Sequence, residues 1–453
     1  MERTYHDETS VKYHADQHLP ILRQVLREVN PRNAEIWTYI FAKAGITDGS
    51  FPATRSAFHA TAQQLGLTIT EVEVENFLEA QYRYLCPPVE GARMLTYDDA
   101  HSTPYKEIPN GVLGSGSFGI VEKVCTYLQP SKVYARKRLM KITDKDRPRV
   151  EKEIVLLQRF RHPHSIMFHG GYLHRGQIFL LFDLATCNLA QFLASPPSVF
   201  VRLSSDEKSS KIVNWMIDMA AAVAYLHGIQ GIHRNLKPEN LLIDNTGRIF
   251  LADCGLDALQ EAASTYTTSI EGTERYTAPD HTQGWNKVYG RSADCWALGC
   301  IYLELLAFGT NISLEYFQTF RQIHGGRNCQ ASRNTCYRHN MKAVALFISG
   351  FLRHRSQAVE RIVDLIDYDI LTPKEYLRLP ARDIRQRLLD LSDGFSFFKK
   401  DDCCSNSRTK NPKNEASMNS ILGRIGSLSI TGESDMRNID ISGSVGPLNE
   451  AFL

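Results

Sequence analysis

The stretch Gly231–Gly255, GIHRNLKPENLLIDNTGRIFLADCG, constrains this chain more than any other. It brings a basic dipeptide (His233-Arg234), an amide (Asn235), a lysine (Lys237), a second amide (Asn240) and an acid (Asp253) together between short apolar runs. Leu241-Leu242-Ile243 and Ile249-Phe250-Leu251 read as two strands joined by the turn Asn245-Thr246-Gly247. Upstream, Ile212, Trp215, Met216, Met219, Val223 and Leu226 fall on one stripe, which predicts a helix over Lys211–His227 delivering the chain to the polar cluster.

The chain before this stretch divides in two. To about residue 105, apolar residues at three- and four-residue spacing predict helices over Leu19–Val29, Ala34–Ala44, Ala53–Leu65 and Ile69–Leu85, with Thr68 or Thr70 as the cap of the last. From Gly111 the pattern changes to strands. Leu113, Gly114, Ser115, Gly116, Ser117, Phe118, Gly119 and Val121 form a glycine-rich loop, in which the missing Cβ atoms let backbone N–H groups approach phosphates. A dinucleotide-binding turn uses the same glycines but runs straight into a helix. Here Val121–Val124 continues as a strand, and Tyr134-Ala135-Arg136-Lys137 follows as another.

Taken in order, these residues resemble the eukaryotic protein kinases. The polar cluster is similar to the family's H-R-D-L-K-x-x-N loop and D-F-G, written here His233-Arg234-Asn235-Leu236-Lys237-Pro238-Glu239-Asn240 and Asp253-Cys254-Gly255. The resemblance implies an α+β, bilobal fold, with a small β-rich N-lobe and a large helical C-lobe over residues 102–397; the helices before it form a module at 1–101, and the Ser-, Asn-, Gly- and Lys-rich composition after it reads as a disordered tail at 398–453. It implies ATP and Mg²⁺ as cofactors: Lys137, paired with Glu153, on the α- and β-phosphates, Asn240 and Asp253 on the metal, and Lys237 on the γ-phosphate. The glycine-rich loop with Ala135 and Leu242 would enclose the nucleotide, behind Phe182, and the backbone of Asp183 and Ala185 would hold adenine. Gly272-Thr273-Glu274-Arg275-Tyr276-Thr277-Ala278-Pro279-Asp280 resembles the family's substrate-side loop, with Arg378 as the partner of Asp280, and Asp294 would bind the backbone of the catalytic loop. Lys237 and Thr273 point to serine/threonine specificity.

Two letters depart from the family pattern. Cys254 stands where a phenylalanine packs beneath the Glu153 helix, and Asn235 stands where the catalytic base is an aspartate. An amide can orient a hydroxyl but cannot take its proton, and a positioned general base is worth roughly 10²- to 10⁴-fold in rate. Two readings follow: a serine/threonine protein kinase of reduced rate, and a pseudokinase that binds ATP and signals by conformation. Arg234 would receive a phosphate on Thr267, Thr268 or Ser269.

Composition narrows the partners. A net charge of +2 over 453 residues gives no global reason to expect nucleic acid, so a protein substrate or signalling partner is expected. The polar N-terminus reads as no secretory signal, and the most apolar segment, Ala297–Phe308, reads as too short for a bilayer and carries Glu304. The ten cysteines are scattered as reduced thiols are, which fits a cytoplasmic protein without a disulfide framework. The Arg- and His-rich run over 321–355 reads as a solvated charged face.

Overall fold

A computed structural model describes residues 19–50, 53–84, 88–97, 102–116, 119–139, 147–254, 275–280, 290–325 and 335–399. The first four helices are α1 (Pro20–Val29), α2 (Ala34–Lys43), α3 (Arg55–Gln64) and α4 (Glu71–Tyr84). Their apolar stripes meet in a core of Leu22, Val25, Leu26, Trp37, Phe41, Phe58, Val74 and Phe77, with the Phe58 and Phe77 rings stacked at 3.9 Å. Thr70 caps α4 in a reciprocal box: its hydroxyl accepts from the Glu73 N–H, and its own N–H donates to the Glu73 carboxylate. The α1 N-terminus is closed from a distance, by Asp48 accepting from the N–H groups of Ile21 and Leu22.

The N-lobe is one six-stranded sheet in the order β1-β5-β6-β4-β3-β2. Its strands are β1 (Arg93–Thr96), β2 (Tyr105–Gly116), β3 (Gly119–Thr126), β4 (Val133–Leu139), β5 (Phe168–His174) and β6 (Gln177–Asp183). Neighbours are antiparallel except that β1 runs parallel to β5 at the sheet edge. Strand β1 lies before residue 102 in the chain yet is part of this sheet, because Gly170 and Gly171 on β5 leave the space it occupies. Helix α5 (Arg147–Arg159) covers one face of the sheet through Val150, Ile154 and Leu157, against Leu139, Phe168, Leu180 and Phe182.

The C-lobe is helical around a small sheet of β7 (Cys187–Asn188), β8 (Leu241–Ile243) and β9 (Ile249–Leu251). After α6 (Leu189–Ala194) and a single turn at Ser198–Val201 comes α7 (Ser205–Gly228), capped by Ser204 and Glu207. The later helices are α8 (Arg291–Gly309), α9 (Leu314–His324), α10 (Met341–Phe347), α11 (Gln357–Asp364) and α12 (Ala381–Ser392). Helix α8 spans 19 residues, longer than the apolar run suggests, and is long and apolar enough to cross a bilayer; yet 83% of that window is buried inside the protein. It is the central strut of the lobe, with Trp296, Leu298, Tyr302 and Leu303 all fully buried. The expected charged face over 321–355 is corrected at its first residue. Arg321 is only 1% exposed, its guanidinium stacked over the rings of Tyr337 at 3.7 Å and Phe317 at 4.5 Å.

Candidate active site

Strand alternation sets the first part of the site. On β4, Ala135, Lys137 and Leu139 share the face on which α5 packs, so Lys137 is 4% exposed although it is a lysine. Its neighbours in register are Val121 on β3 and Leu180 on β6. The buried ammonium is compensated by a salt bridge, Nζ to Asp253 Oδ1 at 2.8 Å. Glu153 is buried on α5, close enough to the Asp253-Cys254 turn that its charge helps raise the Cys254 thiol.

The β8–β9 hairpin sets the second part. Asn240 immediately precedes β8 and Asp253 lies two residues beyond β9; the Ala252 N–H donates to the Asn240 carbonyl at 2.9 Å, closing the open end of the hairpin. Asp253 has φ +58°, a left-handed conformation that aspartate tolerates better than most residues. Burial pushes its carboxyl up, but Lys137 beside it and Lys237 further off outweigh that, leaving the group below the ordinary carboxylate range and ionised.

The catalytic-loop backbone is held from beneath. Asp294, fully buried at the start of α8, accepts from the backbone N–H of His233 at 2.8 Å and of Arg234 at 2.9 Å, and from His227 Nε2 at 2.9 Å. His233 is also fully buried, and burial drives its pKa down, so the ring is neutral. Its tautomer follows: Nε2–H donates to the Ala252 carbonyl at 2.8 Å, and Nδ1 accepts from the Asn235 N–H at 3.3 Å. Arg234 takes φ +72° and its side chain is exposed.

Asn235 is 6% exposed. Its carbonyl accepts from Asn240 Nδ2 at 2.8 Å, and its own carboxamide makes no hydrogen bond among the described residues. Because Asn240 donates through Nδ2, its Oδ1 is the atom left for a cation. The Asp253 carboxylate and the Asn240 carboxamide are hard oxygen donors of the kind Mg²⁺ takes, so the residues fit that ion. Two protein oxygens are few, and among the described residues no group of three or more His, Cys, Asp or Glu could hold a metal. Such an ion would complete its shell with phosphate oxygens and water.

The structure thus brings Lys137, Asn235, Asn240 and Asp253 into one hydrogen-bonded constellation, with Lys237 acting on Asp253 by its charge. Leu113, Gly114 and Ser115 are exposed on β2, and Gly116 pairs with Gly119 at the tip of the β2–β3 hairpin. Gly119 has φ +139°, and a Cβ there would collide with the Arg138 carbonyl. Val121 and Ala135 are half-buried on β3 and β4; Leu242 is half-buried on β8. Phe182 is buried, and the Asp183 N–H donates to the Met167 carbonyl at 3.0 Å at the end of β6. Ser117, Phe118, Thr267, Thr268, Ser269 and Thr273 lie outside the described residues. Asp280 meets Arg378 as expected, Oδ1 to Nη2 at 2.5 Å. Arg378 is pinned further by the Ser292 and Thr372 carbonyls.

One feature beside the site has no counterpart in the sequence reading. A cleft of about 410 Å³ opens between Pro238, Glu239, Arg275, Tyr276 and the start of α9. At its base the Glu304 carboxylate accepts from the hydroxyls of Tyr276 at 3.1 Å and Tyr337 at 3.0 Å, and burial raises its pKa. Glu304 sits in an apolar helix, and nothing local in the sequence says which tyrosines or arginines turn toward it.

Comparison with known proteins supports the geometry. The family model described as the protein kinase domain matches residues 109–387. Ribosomal protein S6 kinase alpha-6 of Danio rerio is 33% identical over 201 residues, 43% of this chain and 26% of that protein. Serine/threonine-protein kinase fused of Drosophila melanogaster is 30% identical over 200 residues, 44% of this chain and 24% of that protein. Serine/threonine-protein kinase sgk-1 of Caenorhabditis elegans is 29% identical over 204 residues, 43% of this chain and 41% of that protein. The match spans about a quarter of the S6 kinase and of fused. With the kinase domain matched over more than half the chain and the lobes, hairpin and polar constellation in place, the chain belongs to the eukaryotic protein kinase family.

Proposed function

We propose that the chain transfers the γ-phosphate of ATP to serine or threonine hydroxyls of a protein, at a rate held down by Asn235. The observation that carries this reading is the Lys137–Asp253 salt bridge at 2.8 Å joined to Asn240 and Asn235 through the closed hairpin. The relatives' names carry the serine/threonine specificity.

In this reading Lys137 binds the α- and β-phosphates, and Asp253 with Asn240 supplies the protein oxygens for Mg²⁺. Mg²⁺ held there would supply neutralisation of phosphate charge. Lys237 offsets charge developing on the transferred group, and the Asn235 carboxamide orients the attacking hydroxyl. Proton removal then falls to solvent or to the phosphate itself, and a largely dissociative transition state tolerates this because it asks for the proton late.

Asn235 also supports a second reading from another class: an ATP-binding pseudokinase that presents a partner surface. The two separate when purified protein is incubated with labelled ATP, Mg²⁺ and a generic protein substrate beside Lys137→Met. Slow transfer by the wild type that Lys137→Met abolishes is the expected result. Nucleotide binding without transfer by the wild type would favour the pseudokinase.

A further inference from the structure

We infer that the segment Val89–Thr96, upstream of the matched kinase domain, is a positioning element for α5, the helix that carries Glu153. Contacts on both sides place it. Gln158, one turn and a residue beyond Glu153 on α5, donates through Nε2 to the Ala92 carbonyl at 2.8 Å. Ala92 itself is 4% exposed and belongs, with Met94 beside it, to the cluster formed by Val150, Ile154 and Leu157 of α5. The backbone on either side is tied to the sheet: the Ala92 N–H donates to the His169 carbonyl at 2.9 Å and the Tyr97 N–H to the Leu173 carbonyl at 3.0 Å. Val89 is anchored from the far side, its N–H donating to the Tyr105 hydroxyl at 2.8 Å.

The sheet edge is built to receive this segment. Arg93 pairs with Gly170 and Met94 with Gly171. Gly170 has φ +125°, and a Cβ on it would collide with the Arg93 carbonyl and the Val89 side chain. A Cβ on Gly171 would lie 2.8 Å from Met94 Sδ. Two adjacent glycines in mid-strand weaken a strand by themselves; the close approach of the Arg93 backbone accounts for Gly170, while Gly171 is confined by the Phe179 carbonyl of β6, 2.5 Å from such a Cβ, as well as by Met94. The turn into β1 holds Gly91 at φ +65° and Ala92 at φ +59°. A non-glycine residue takes that conformation only when its surroundings over-determine it. The segment therefore wedges between the sheet edge and α5, and the position of Glu153 depends on it being seated.

The inference stands on N-lobe packing and rests on the proposed function only through the expected pairing of Glu153 with Lys137. Hydrogen exchange of the full chain, read by mass spectrometry, tests it with Gln158→Glu, Gln158→Lys and Gly170→Val. Glutamate keeps the shape of glutamine but cannot donate to the Ala92 carbonyl, whereas lysine keeps a donor. The expected result is exchange about five- to tenfold faster over α5 in Gln158→Glu and at least as fast in Gly170→Val, with α8 unchanged and Gln158→Lys near wild type. ATP·Mg²⁺ affinity should fall in step with α5 exchange. Unchanged α5 exchange in both disrupting variants, or acceleration of α5 and α8 together, would overturn the inference. A chain that shows the expected exchange pattern but transfers no phosphate would overturn the functional reading and leave this one standing.

Discussion

Two positions at the centre of the site differ from the family pattern, and the structure gives them different weights. Cys254 is buried in the C-lobe core at 1% exposure, and burial, reinforced by Asp253, Asp294 and Glu153, pushes its thiol well above the ordinary range. A thiol held protonated and out of solvent is a weak nucleophile. Iodoacetamide at pH 8 should therefore leave Cys254 unmodified in the folded chain and alkylate it after denaturation, as peptide mapping would show. Asn235 differs in kind. Its backbone is held by the His233 ring, and its carbonyl by Asn240, so the position is preserved while the chemistry of the side chain is changed. Replacing its amide by a carboxylate should restore a base without moving the loop.

Among the elements, the catalytic loop depends most on the N-terminal end of α8. Asp294 accepts three hydrogen bonds in a fully buried setting, so Asp294→Ala should leave three donors unsatisfied. The expected cost is about 3 kcal/mol or more in chemical denaturation. Exchange at His233 and Arg234 should quicken first. This element was legible in advance, because the resemblance to the kinases assigns Asp294 to the backbone of that loop and the hairpin carries its own turn residues. Strand β1 was not, since four residues of mixed character carry no periodicity, and what gives them a place in the sheet is their pairing with Gly170 and Gly171, 77 positions later. The same holds for Glu304 and Arg321, whose burial is decided by Tyr276 and Tyr337 folding over them. Short-range pattern marks the polar residues of the candidate site; long-range packing decides which charges are buried.

At the scale of the whole molecule, half-buried His162 and buried His233 link stability to pH. Burial, with His164 and Arg385 nearby, takes His162 from 6.5 to about 3, and burial lowers His233 as well. Both pKa values are depressed on folding, so as the pH falls below about 6.5 the unfolded chain takes up protons that the folded chain refuses. Stability is full above that range and declines below it, by at most about 1.4 kcal/mol per pH unit for each histidine, until the folded pKa is passed. Urea midpoints between pH 6.5 and 4 should fall less steeply in His162→Asn than in the wild type; parallel slopes would contradict this.

The central claim is that nucleotide and metal handling by Lys137, Asn240 and Asp253 is intact while proton removal is not. The initial rate of phosphate transfer from labelled ATP, compared between wild type and Asn235→Asp at saturating nucleotide, tests it most directly. The expected result is an increase of roughly 10²- to 10⁴-fold in the variant, with little change in the KM for ATP. Equal rates in the two proteins, or a gain that comes through the KM for ATP, would contradict it.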